Sequence, residues 1–184
     1  YMNYNIIVAT CQDNGIGKDN KLPWDKISED MRRFSKLTKG NGNNAIIMGK
    51  NTWESLPKKP LPNRENLILS TTLQEANGAH IFNNTNNLVD YVNKIKYNNV
   101  WVIGGSSIYN EFLNNGLTKN LYITKIHKDF ESDVFFPEIP DNYSLKWESD
   151  IKTENDIDYS FCLFTNTLYS SKLKKKLNHS MDYQ

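Results

Sequence analysis

The chain is poor in the residues that mark a specialised class. It has two cysteines in 184 residues, Cys11 and Cys162, with no CxxC or other metal-ligand spacing. That excludes a disulfide scaffold and predicts buried free thiols in a reducing compartment. His80, His127 and His179 have no cysteine or carboxylate at ligand spacing, so no metal is expected. Basic and acidic residues nearly cancel, for a net charge of +1, so no basic field points to nucleic acid. No apolar run approaches the ~18 residues of a membrane-spanning helix, and no basic segment leads into an apolar core as in a secretory signal. GxSxG, Walker and HExxH patterns are missing as well. The expectation is a cytoplasmic protein that takes its chemistry from a borrowed cofactor.

Arginine is scarce too. There are 19 lysines and 26 asparagines but three arginines, Arg32, Arg33 and Arg64. The skew reads as coding bias, and it makes each retained arginine a question. Arg32 and Arg33 are expected to face solvent.

What is present is a run of short, wholly apolar segments separated by helical patterns. Residues 5–11, 44–48, 66–70 and 100–103 read as strands buried on both faces. Residues 52–56, 87–95 and 106–113 read as helices, as does a segment from Ser28 that Ser28 itself would cap. Residues 79–82 and 121–126 are further strands. Residues 144–148 and 159–167 form a closing antiparallel pair joined by an acidic linker. Residues 15–21 read as a polar, glycine-punctuated loop. The order predicts an α/β fold, a three-layer α/β/α sandwich whose central sheet is mostly parallel with an antiparallel C-terminal edge. The domain is expected over residues 1–170, with 171–184 as a basic tail or linker.

One residue breaks the pattern. The helix from Ser28 places Ile27, Met31, Phe34 and Leu37 on one stripe, and Asp30 lies on that stripe. A first-turn acid is favoured by the helix dipole by ~0.3–1 kcal/mol. Glu29 already supplies that, whereas an inward carboxylate is a candidate acid, base or cation anchor. Gly104–Gly105 follow a buried strand and open a helix, either as a tight turn or as an anion site of backbone N–H groups. Gly49, Lys50 and Thr52 make a second strand-to-helix junction, and Ser70 and Thr71 end a third strand. Ligands of open α/β sheets bind at these carboxyl edges, so the three together favour a nucleotide.

The chain closely resembles dihydrofolate reductase over residues 5–168. The resemblance rests on IIVAT at 6–10, GIGKDNKLPW at 15–24, EDMRRF at 29–34 and IIMGKNTWESLP at 46–57. PLPNRENLILS at 60–70, VIGGSSIY at 102–109 and LYITKI at 121–126 complete it in order. It implies NADPH-dependent reduction of 7,8-dihydrofolate to tetrahydrofolate. Asp30 takes the place of the acid that pairs with the pterin 2-amino group and N3, with Thr124 supporting it. Trp24 matches the indole that organises water, and Leu22 the loop residue that closes over the nicotinamide. Ile7, Val8, Ala9, Met31, Phe34, Ser55, Leu61, Ile103 and Tyr109 match the substrate pocket, and Arg64 the arginine that binds the glutamate α-carboxylate. Ala9, Ile16, Gly17, Gly49, Lys50, Asn51, Thr52, Leu69, Ser70, Thr71, Ile103, Gly104, Gly105, Ser106, Ser107, Ile108 and Tyr109 match the cofactor's contacts. Gly104–Gly105 would carry a cis peptide, and Lys50 supports a 2′-phosphate. A fused thymidylate synthase domain is a further expectation from the tail and its closing HSMDYQ. Loss of Asp30, Trp24 or Arg64 would favour a non-catalytic folate- or nucleotide-binding module, and none is lost. A riboflavin-pathway reductase would lack the PW…D…F arrangement of residues 23–34.

Overall fold

Residues 2–169 are described in a computed structural model, and the 171–184 tail, with the fusion it suggested, lies outside them. The elements are β1 (Tyr4–Thr10), β2 (Gly15–Gly17), α1 (Ser28–Lys39), β3 (Asn44–Gly49), α2 (Lys50–Ser55) and β4 (Glu65–Leu69). β5 (Ala79–Phe82), α3 (Thr85–Ile95), β6 (Asn99–Gly104), α4 (Ser106–Asn114) and β7 (Thr118–Ile126) follow. The chain closes with β8 (Val134–Phe135), β9 (Tyr143–Glu148), β10 (Lys152–Glu154) and β11 (Ile157–Asn166). One large sheet runs β10-β11-β7-β1-β6-β3-β4-β5, with β9 also on β11. Every pairing from β7 to β5 is parallel, and β11 meets its neighbours antiparallel.

Burial on both faces explains why the central strands are continuously apolar. Alternate residues divide between two cores. Tyr4, Ile6, Val8, Ala45, Ile47, Val100 and Val102 meet α3 and α4 through Leu88, Val92, Ile108, Phe112 and Leu113. Ile7, Ile46, Met48, Ile68 and Trp101 face the other way, against Phe34 and Leu37 of α1 and Trp53 of α2. The result is the expected three-layer sandwich, with Asp30's helix on the second face.

Three strands, β2, β8 and β10, are additions to the sequence reading. Part of the segment 15–21 is β2, which pairs with β8 because the distant segment supplies its partner. The linker 149–158 contains β10, a hairpin partner of β11 through Lys152–Tyr159 and Glu154–Ile157. Shortness concealed them: β2 and β10 are three residues long and β8 two, too few to show alternation. Cys11 and Cys162 are free and buried, as expected.

Candidate active site

α1 begins with an arrangement the sequence did not suggest. Ser28 is the first helical residue rather than the cap; Ile27 holds that position and offers no side-chain acceptor. Instead Glu154 of β10 accepts the Ser28 backbone N–H at 2.6 Å. Tyr159 Oη donates to Glu29 at 2.6 Å, and Lys152 Nζ lies 3.1 Å from the same carboxylate. The hydrogen bond from Tyr159, ahead of the Lys152 charge, holds the Glu29 carboxyl below its ordinary range. The β10–β11 hairpin thus grips the first turn of α1.

Asp30, in that same turn, faces the sheet. Thr124 Oγ1 on β7 donates to Asp30 Oδ1 at 2.6 Å. Burial pushes the Asp30 carboxyl above the ordinary carboxylate range, Thr124 and the Arg33 charge pull against it, and Glu29 adds to the rise. Thr124 stands opposite Ala9 of β1 and Phe161 of β11, at the meeting of parallel and antiparallel strands. Arg33 corrects an expectation: it does not face solvent. Its guanidinium lies 4.3 Å from the Phe161 ring centroid and 5.8 Å from that of Tyr122. One turn beyond Asp30, it points at the same sheet face, while Arg32 is exposed as expected.

Apolar groups line the sheet face that α1 covers. Ile7 belongs to the core on the α1 face, with Phe34, Leu61 and Ile103 packed against it. Val8 points into the other core, so its side chain is packing. Met31 is 44% exposed and Leu22 48%, so neither is core; Met31 follows Asp30 directly in the first turns of α1. Trp24 is buried among Cys11, Ile27, Ile126, Ile157, Tyr159 and Phe161, with Phe130 at 6.1 Å. The loop before it is tied down from the far segment. Asp133 N–H donates to Gly17 O at 2.8 Å, Asp19 N–H to Asp133 Oδ2 at 3.1 Å, and Lys18 pairs with Glu131 at 3.3 Å. Ile16 packs on the main core.

The carboxyl ends of β3 and β6 meet side by side. A Cβ on Gly49 would come within 3.1 Å of Ile108, and Gly104 has φ +124°, closed to other residues, over the Tyr109 ring. The nearest atom to a Cβ on Gly105 would be the Thr52 hydroxyl, at 3.9 Å. Tyr109 Oη donates to the Ile7 carbonyl at 2.9 Å, fastening α4 to β1. The Gly104–Gly105 peptide is cis, as the resemblance implied. α2 and α4 both start without a side-chain cap, whereas Asn84 caps α3 through Asn87 N–H at 2.8 Å. Lys50 and Ser106 are half-buried at these starts, and Asn51 and Ser107 are exposed. Leu69 ends β4 against the main core. Ser70 Oγ accepts the Thr72 and Leu73 N–H groups at 3.2 and 3.1 Å, beside the exposed Thr71. Ser55 Oγ donates to Thr52 O at 2.8 Å.

Arg64 lies at the other end of α1. Its Nε donates to Pro62 O and its Nη1 to Thr38 Oγ1, both at 2.8 Å. Thr38 Oγ1 in turn donates to Phe34 O at 2.7 Å. Thr38 is eight residues from Asp30, about 12 Å along the helix at ~1.5 Å per residue. Thr38, Glu154, Tyr159 and Asp133 were not found from sequence. Each acts across 26 residues or more, and nothing in its local spacing distinguishes it.

This geometry carries the family motifs in register, and comparison with known proteins agrees. The family model for "Dihydrofolate reductase" matches residues 3–166. Dihydrofolate reductase of Gallus gallus is 37% identical over 182 residues, covering 89% of this chain and 96% of that protein. Viral dihydrofolate reductase of Saimiriine herpesvirus 2 (strain 488) is 42% identical over 176 residues, 85% of this chain and 82% of the relative. Dihydrofolate reductase of Sus scrofa is 39% identical over 177 residues, 85% and 94% respectively. The chain belongs to the dihydrofolate reductase family.

Proposed function

We propose that the chain reduces 7,8-dihydrofolate to 5,6,7,8-tetrahydrofolate with NADPH, and that Asp30 anchors the pterin. The observation that carries this reading is the inward, largely desolvated Asp30 carboxylate, fixed by Thr124 against the sheet. A carboxylate with two acceptor oxygens suits the 2-amino and N3 edge of a pterin, an amidine-like donor pair. Its negative charge favours a proton on the ring, so Asp30 biases N5 toward protonation while water delivers the proton. The Thr124 bond leaves the carboxylate oriented for that edge.

Arg64 supports the same substrate. The ~12 Å between the Asp30 and Thr38 turns of α1 suits a molecule with a pterin at one end and a carboxylate at the other. A guanidinium presents paired donors to such a carboxylate, which lysine does poorly. Ile7, Phe34, Leu61 and Ile103 would flank the intervening part, and Met31 and Leu22 would pack on its open side.

The residues also fit the dinucleotide. α4 presents N–H groups with no side-chain cap beside Gly105, where a Cβ would meet nothing nearer than the Thr52 hydroxyl at 3.9 Å. Lys50 and the Thr52 and Ser106 hydroxyls stand at the same edge, suited to a pyrophosphate and a 2′-phosphate. When bound, NADPH supplies the hydride from nicotinamide C4 to pterin C6. Ala9, Ile16, Gly17, Leu22 and Tyr109 would hold the ring and keep bulk water away, and Trp24 would limit the approach of water to the pterin. No helix among the described residues is long and apolar enough to cross a membrane.

The direct test is the loss of NADPH absorbance on addition of dihydrofolate. Turnover that requires both components is expected. A folded protein that binds dihydrofolate without oxidising NADPH would contradict the reading.

A further inference from the structure

Arg33 is the cation that the reaction as described does not use. It is half-buried, and among the described residues no carboxylate lies within ion-pair distance of it. Its guanidinium is laid instead on Phe161, with Tyr122 beside it. Those two rings are the neighbours of Thr124. Phe161 is its cross-strand partner, and Tyr122 is two residues away on the same face of β7. Thr124 is the residue that holds Asp30. A long flexible cation so placed loses hydration, which lowers its proton affinity but leaves an arginine charged. Two stacking contacts compensate part of that loss and fix where the charge sits. In a chain with 19 lysines and three arginines, a stacked guanidinium is a specific choice, since a planar guanidinium stacks where an ammonium does not.

We propose that Arg33 is a positioning residue for the reaction, a cation stacked on Phe161 to hold Asp30 in the carboxylate form. The proposal rests on the reading of Asp30 as the group that pairs with the pterin. Burial alone would drive Asp30 toward the neutral acid, which could not accept two hydrogen bonds from the ring. Arg33 opposes that from the same helix, and Thr124 opposes it from β7. The other charged or titratable groups around the pair work less directly. Glu29 pushes the opposite way but is engaged by Tyr159 of β11 and Lys152 of β10. Glu154 of β10 is engaged by Ser28, and Lys152 Nζ stands 5.9 Å from the Phe161 ring. Cys162 is turned to the opposite face of β11 from Phe161, and burial lifts its thiol to about 11, so it adds no charge on the Arg33 side. Among the described residues, Arg33 is thus the cation whose charge opposes the burial of Asp30. Whichever atom of the Asp30–pterin pair carries the proton, loss of a nearby cation raises its proton affinity.

The test compares Arg33→Met and Arg33→Gln, which keep a stem over Phe161 without charge, with Arg33→Lys, which keeps the charge. The carboxyl titration of Asp30 is followed by carbon-13 NMR in the ligand-free protein, with Asp30→Asn to assign the resonance. The pH dependence of single-turnover hydride transfer is measured alongside. The neutral variants should raise both midpoints by about 0.5–1 pH unit, for an opposite charge beyond direct contact and partly screened. Arg33→Lys, which keeps the charge but not the planar stack, should shift both midpoints less than the neutral variants do. Midpoints unmoved in the neutral variants, even with slower turnover, would overturn the proposal and leave Arg33 as packing. So would an equal shift in Arg33→Lys. The NMR titration needs no turnover, so it decides on Arg33 even if the protein fails to reduce dihydrofolate.

Discussion

Thr124 Oγ1 donates a 2.6 Å hydrogen bond to Asp30 Oδ1, joining the middle of the sheet to the first turn of α1 across 94 residues of sequence. The bond favours the charged form and fixes which oxygens remain for the ligand. Thr124→Val keeps the shape and removes the donor. A hydrogen bond to a charged group contributes about 1.5–3 kcal/mol, so dihydrofolate reduction should fall roughly 10- to 100-fold in kcat/KM. The Asp30 titration should move upward, because a support for the charged form is gone. Steady-state kinetics and carboxyl NMR check the two halves separately.

Glu154 contributes stability through the Ser28 N–H, and the sign with pH follows. That N–H holds the Glu154 carboxyl below the ordinary carboxylate range in the folded protein. The contribution is therefore fully present above the unfolded-state value and is lost as pH falls through the lowered folded value. Glu154→Gln should lower the Tm at neutral pH, and the difference from wild type should shrink as pH falls through the carboxylate range. Thermal melts at several pH values measure this. A difference that grows with acidity would contradict it.

Arg64 is held by the Pro62 carbonyl and the Thr38 hydroxyl, at the far end of α1 from Asp30. Arg64→Lys keeps the charge but loses the paired donors, so KM for dihydrofolate should rise about tenfold or more while kcat changes little. A truncated substrate without the glutamate should show no such difference between the two proteins. An equal effect on both substrates would place Arg64 in the scaffold rather than the site.

Much of this was legible in the sequence because it is written in local patterns. Doubly buried strands such as β3 and β6 are apolar without interruption, and Asp30 is conspicuous because it sits where helical period demands an apolar residue. Arg64 stood out against the lysine background. What escaped has a common cause. Ser28 reads as its own helix's cap, but the acceptor is Glu154, on a strand whose composition resembles a loop. Arg33 reads as solvent-facing because a charged residue on a helix is normally solvated. Its stacking on Phe161 depends on a strand pairing that no local spacing encodes. The loop at 15–21 became β2 only because β8 lies beside it. Partners distant in sequence decide these features, and one sequence does not display them.

The central claim is that Asp30 binds and biases the pterin, and the sharpest test is Asp30→Asn, which keeps the shape and the Thr124 contact but removes the charge. General acid–base contributions run to about 10²–10⁴-fold, so hydride transfer at neutral pH should fall by that order. It should recover in part at low pH, where dihydrofolate arrives already protonated. Wild-type rates of NADPH-dependent dihydrofolate reduction by Asp30→Asn at pH 7 would contradict the account.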